Sequence, residues 1–153
     1  KARALGWPGM QKRVAAAQKF PSLASCMTDN ARRDGELDID WRKVESDLEV
    51  EVCLSRVARA LGDPNKVASW LQSCGFRIIG IRPPEEGTIS IEAAERDGIE
   101  VEAFWSADKS GPLARGGVIA PLVQRAIGHG TSVSIFISSS RQIVSVTAVT
   151  NIL

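Results

Sequence analysis

The chain has 153 residues, 44% of them hydrophobic, which suits one domain or one domain plus an arm and excludes a disordered chain. Lysine and arginine number 19 against 18 aspartates and glutamates, and this formal charge of +1 argues against a nucleic-acid binder acting with its whole surface. No apolar run approaches the ~20 residues that span a bilayer, and no signal-type apolar stretch opens the chain.

The first residue is lysine, so a fragment or processed form is expected. Residues 1–28 carry Lys1, Arg3, Lys12, Arg13 and Lys19 and no acid, whereas residues 29–51 hold nine acids. From Lys109 onward no carboxylate side chain occurs. Such zones read first as solvated faces that compensate within one fold, and second as a binding patch.

Pro8 can open a short helix reaching about Phe20, with Met10, Val14 and Ala17 on one side, and Pro21 stops it. A second short helix follows around Leu23, Cys26 and Met27, and Asn30 to Gly35 reads as a turn. Residues 1–40 thus form a helical arm, basic then acidic, free to move or to dock. Residues 41–153 form a single α+β domain.

Asp40 is placed to N-cap a helix with the stripe Trp41, Val44, Leu48 and Val52. The next apolar set, Val50, Leu54, Val57, Ala58 and Leu61, falls on the opposite side, so one straight helix would be buried on both faces. A helix to about 49 with a break before 54 is therefore expected. A strand at 47–54 is the other option, since Leu48, Val50, Val52 and Leu54 alternate with Glu49, Glu51 and Cys53. A helix would also set Glu45 against Glu49 and Asp47 against Glu51, costing a few tenths of a kcal/mol per pair.

Gly62-Asp63-Pro64 supplies a C′ glycine, an N-cap and a proline at N1 for a helix carrying Val67, Leu71 and Cys74 and stopping at Gly75. The period then changes from helical to strict alternation. Strands are expected at about 76–82, 88–94 and 99–105, joined by Pro83-Pro84-Glu85-Glu86-Gly87 and Arg96-Asp97-Gly98. A loop through Gly116-Gly117 leads to a helix ending near Ile127, and strands at 131–138 and 142–150 close the chain. The fold class is α+β: a mainly antiparallel five-stranded sheet with helices on one face and a helical N-terminal arm. This element order over residues 64–150 is similar to that of type III secretion chaperones, which dimerise through such a layer.

Cys26, Cys53 and Cys74 are odd in number and widely spaced, with no Cys-x-x-Cys and one histidine, His129. Neither a zinc site nor a disulfide framework is indicated, and a reducing cytoplasm is the expected compartment. Asp34-Gly35-Glu36-Leu37-Asp38 fails as a calcium loop, because Arg32 and Trp41 fall where oxygen ligands are needed.

Leu54 to Leu61, the Gly62 turn and Asn65 to Cys74, followed by a strand pair, resemble a winged-helix reader over 54–92, with Asn65, Lys66, Ser69 and Gln72 as its contact residues. Arg115, Gly116 and Gly117 before a helix could hold an anion. Trp7 and Trp70 are candidate partner anchors, whereas Trp41 and Trp105 fall on core stripes. Glu92, Glu100 and Glu102 could converge, and the alternating serines 132, 134 and 138 describe a wet strand face.

No catalytic, metal or cofactor motif is present. The expected function is a non-catalytic protein-binding module, adaptor- or chaperone-like, bound to another protein or dimerised with itself through its outer strands. A DNA-binding protein is the alternative, and a small enzyme with a scattered site the third reading.

Overall fold

The computed structural model describes residues 3–84, 97–106, 129–142 and 144–152. The described helices are α1 (Arg3–Lys19), α2 (Leu23–Cys26), α3 (Asp29–Asp34), α4 (Asp47–Leu61) and α5 (Pro64–Ser73), with a 3-10 turn at Trp41–Lys43. The strands are β1 (Arg77–Arg82), β2 (Gly98–Ser106), β3 (His129–Ser138) and β4 (Val144–Ile152).

The class is α+β and the sheet antiparallel, but the described residues form four strands rather than five, in the order β1-β2-β3-β4. The strand expected at 88–94 and the helix expected up to Ile127 lie outside the described residues. A meander through 76–82, 88–94 and 99–105 would have kept the first and third apart. Instead β1 pairs directly with β2, with Ile81 opposite Val101. Alternation tells which face a strand buries and says nothing about its neighbour.

That alternation sets Val101, Ala103 and Trp105 of β2 and Val133, Ile135 and Ile137 of β3 on one face, all buried beneath α4 and α5. The α4–α5 junction forms as its residues dictate. Gly62 adopts φ 67°, Asp63 accepts the Asn65 N–H at 2.8 Å, and Pro64 is the first helical residue.

The start of α4 differs from expectation. Asp40 caps only the 3-10 turn, accepting from the Arg42 N–H at 3.3 Å. Ser46 caps α4: its oxygen accepts the Glu49 N–H at 3.2 Å, and its hydroxyl donates to the Glu49 carboxylate at 3.1 Å. Ser46-x-x-Glu49 has capping-box spacing and wins over Asp40. The helix then runs unbroken, so the two-sided burial is met by neighbours on both sides. Val50, Leu54 and Val57 enter the core, while Leu48 and Val52 face a cleft shared with α1 and β4.

In the N-terminal part, α1 begins at Arg3 rather than Pro8; Met10 and Val14 are exposed, whereas Ala16 and Phe20 are buried. Asn30 to Gly35 is mostly helix α3 instead of a plain turn, capped by Thr28 and ended by Gly35 at φ 74°. The basic start meets the acidic belt: Arg13 pairs with Glu51 at 3.4 Å, and Lys19 pairs with Glu49 and, at 3.7 Å, with Glu45. Glu45 precedes the Ser46 cap and so stands outside the helix, and Lys19 bridges it to Glu49 of the first turn.

Cys26 of α2 and Cys53 of α4, both fully buried, form a disulfide across 27 residues with their Cα atoms 5.8 Å apart. This corrects the reading that no disulfide framework is indicated and removes the ground for a reducing compartment. The pairing depends on where α2 meets α4 in space, which the spacing along the chain does not encode. No described helix is long and apolar enough to cross a membrane.

Candidate functional site: two unlike sheet edges and the face between them

Among the described residues the sheet has two edges, β1 and β4, and an edge strand presents unpaired backbone groups to any strand that approaches. On β4 the acids of α4 answer two of those groups. Glu51 accepts the Ala148 N–H at 3.0 Å, and Asp47 accepts the Thr150 N–H at 3.1 Å and the Thr150 hydroxyl at 2.6 Å. Glu51 also holds Arg13, so one carboxylate ties α1, α4 and β4 together.

β1 is built differently. Its register slips between Ile78 and Gly80, a bulge that the glycine permits, and Ile79 and Ile81 stand 50% and 42% exposed. Among the described residues no hydrogen bond reaches its outer side. Arg77 opens the strand with its guanidinium 5.9 Å from the Phe104 ring centre, and Arg82 ends it, donating to Glu102 at 2.8 Å. Arg77 has no carboxylate partner among the described residues.

The face turned away from α4 and α5 continues from this edge. A groove of about 440 Å³ crosses it, lined by Arg77, Ile79, Phe104, Ser132, Ser134 and Val149. Next to it Glu100 is buried and accepts from the Ser134 hydroxyl, and Phe136 lies buried across Gly98. The groove thus offers apolar surface, hydroxyls, the Glu102 carboxylate already paired with Arg82, and in Arg77 a cation without an ion-pair partner among the described residues, a set suited to an extended peptide segment.

The expected site residues fall in separate places. Asn65, Lys66, Ser69 and Gln72 share the exposed side of α5, with Lys66 the one charge among them. Trp70 is half-buried against the core, and its Nε1–H donates to the Leu37 carbonyl at 2.8 Å. Trp7 belongs to the α1 backbone, but its side chain lies outside the described residues, as do Arg115, Gly116, Gly117 and Glu92. Glu100 and Glu102 share the outer face of β2, one held by Ser134 and the other by Arg82.

Among the described residues no group of three or more His, Cys, Asp or Glu side chains gathers to hold a metal. The free Cys74 is buried, and that burial pushes its thiol up to about 12. Sequence reasoning missed the β1 edge and its Arg77–Phe104 stack. A glycine inside an alternating run, Ile78-Ile79-Gly80-Ile81, is the local sign of a bulge that could have drawn attention to it. Neither a family model, nor a curated protein, nor a solved structure is significantly similar to this chain.

Proposed function

We propose that the domain is a protein-binding module, adaptor- or chaperone-like, which takes an extended segment of its partner along β1 and into the adjoining groove. The observation that carries this reading is the contrast between the edges: β4 has its Thr150 and Ala148 N–H groups answered by Asp47 and Glu51, whereas β1 has no such acids laid along it among the described residues and leaves Ile79 and Ile81 exposed. Arg77, which has no carboxylate partner among the described residues, favours a partner strand with an acid beside it, whereas Arg82 is already answered by Glu102. A second copy in antiparallel two-fold pairing would set Arg77 opposite Arg82, like charge against like, and is the weaker occupant. The Cys26–Cys53 bridge supports work in an oxidising compartment rather than the cytoplasm.

Fluorescence anisotropy with short alternating valine–threonine peptides tests this. Glutamate-flanked peptides should bind and weaken with salt, lysine-flanked ones should not, and Ile79→Asp should abolish binding. Equal behaviour of the two peptides, or indifference to Ile79→Asp, would remove the reading. A dimer in sedimentation that Ile79→Asp dissolves would assign the edge to a second copy instead.

A further inference from the structure

We propose that the cleft between α1, α4 and β4 binds an aliphatic carboxylate, which occupies the third rung of a ladder whose first two rungs are Asp47 and Glu51. The inference is independent of the β1 reading. Two periodicities generate the ladder. Alternate residues of an edge strand turn their N–H groups outward, about 6.6–6.8 Å apart. Residues four apart on a helix lie about 6 Å apart on one side.

Helix α4 runs against β4 so that the two repeats match: Asp47 takes the Thr150 N–H, and Glu51 takes the Ala148 N–H. The next step pairs the Val146 N–H with position 55, and position 55 is a serine. Its side chain carries a hydroxyl where a glutamate would carry a methylene and a carboxylate. No hydrogen bond to the Val146 N–H is present among the described residues. Where the missing carboxylate would lie, there is a cavity of about 340 Å³, lined by Ser55 and Val146 together with Leu48, Val52, Arg13 and Arg56.

The charges fit the same occupant. Arg13 is answered by Glu51. Arg56 donates through Nη2 to the Phe20 carbonyl at 3.3 Å, and its Nε is buried with no partner, so this cation is under-satisfied within the protein. Among the described residues that line it, two arginines against one carboxylate leave the cleft one negative charge short. A carboxylate entering it would meet the Arg56 guanidinium, the Ser55 hydroxyl and the Val146 N–H, while Leu48 and Val52 take its alkyl stem. A short-chain acid and the side chain of a glutamate in a peptide present the same chemistry.

Amide NMR of the full chain, titrated with butyrate, butyramide and blocked glutamate (N-acetyl, N-methylamide), provides the test. Butyrate should shift the Val146 amide saturably, with a Kd on the order of 1 mM, and butyramide should not. Arg56→Gln should weaken the response about tenfold with the spectrum otherwise retained. Ser55→Glu should supply the third rung from within, shifting the Val146 amide without ligand and eliminating the butyrate response. Tighter binding of blocked glutamate than of butyrate would assign the site to a peptide side chain, and the reverse to a free acid. The proposal is overturned if neither carboxylate shifts Val146, if butyramide matches butyrate, or if Arg56→Gln binds as well as the parent.

Discussion

The Asp47 carboxylate receives both the backbone N–H of Thr150, at 3.1 Å, and its hydroxyl, at 2.6 Å. A residue in the first turn of α4 thereby closes the last strand of the sheet across 103 positions of the chain. Hydrogen bonds to a charged acceptor contribute about 1.5–3 kcal/mol each, and a buried donor left without its partner costs about as much. Asp47→Ala is therefore expected to lower stability by about 2 kcal/mol. The urea midpoint should fall with the slope unchanged, and the Thr150 amide should exchange faster with solvent.

The Cys26–Cys53 bridge closes a loop over 27 residues. By chain entropy that closure contributes about 3.5 kcal/mol, so Cys26→Ser is expected to lower stability by roughly this amount, as is reduction of the parent. Peptide mapping without reductant should recover the two cysteines linked. A Cys26→Ser variant as stable as the oxidised parent would show that the bridge restricts little in the unfolded chain.

What could be read from the residues, and what could not, divides along a physical line. Gly62-Asp63-Pro64 was legible because three adjacent residues each act on their own backbone, and the strands at 99–105 and 131–138 because their periodicity is local. The charge zones were legible too, but that Arg13 meets Glu51 and Lys19 meets Glu49 depends on how α1 lies on α4. The same holds for the disulfide, for β1 taking the place beside β2, and for the acids of α4 reaching the edge of β4. The start of α4 is the exception. Ser46-x-x-Glu49 was a local signal in plain view, passed over because Asp40 stood before the first tryptophan of an apolar stripe.

Cys74 gives stability a dependence on alkaline pH. Burial raises its thiol from 9.0 to about 12 in the folded chain. Below about pH 9 both states hold the proton; above it the unfolded chain releases it and the folded chain does not, so unfolding gains. Stability should fall by up to about 1.4 kcal/mol per pH unit until the folded thiol itself ionises. Since the chain has no tyrosine, lysines are the main other side chains titrating there. Urea midpoints from about pH 8 to about pH 10 should therefore decline more steeply for the parent than for Cys74→Ala. Parallel declines would show that Cys74 ionises in the folded protein as easily as in the unfolded one.

Two glycines of the sheet lie under aromatic rings, yet their replacement should have unequal consequences. A methyl group at Gly98 would sit 2.6 Å from the Phe136 ring, against the Ile137 carbonyl as well. Phe136 is 1% exposed and Ile137 belongs to the paired strand, so neither can retreat without moving its neighbours. At Gly130 the methyl would strike the Phe104 ring, which lies half-exposed at the groove and can turn toward solvent. Gly98→Ala should cost about 2–3 kcal/mol by overpacking, and Gly130→Ala less than about 1 kcal/mol. Turning Phe104 outward also breaks its stack with Arg77, so Gly130→Ala should alter peptide binding at β1 while leaving the urea midpoint almost in place. Equal losses in the two variants would mean that Phe104 is held as firmly as Phe136, and the groove beside it would then be a rigid surface rather than an adaptable one.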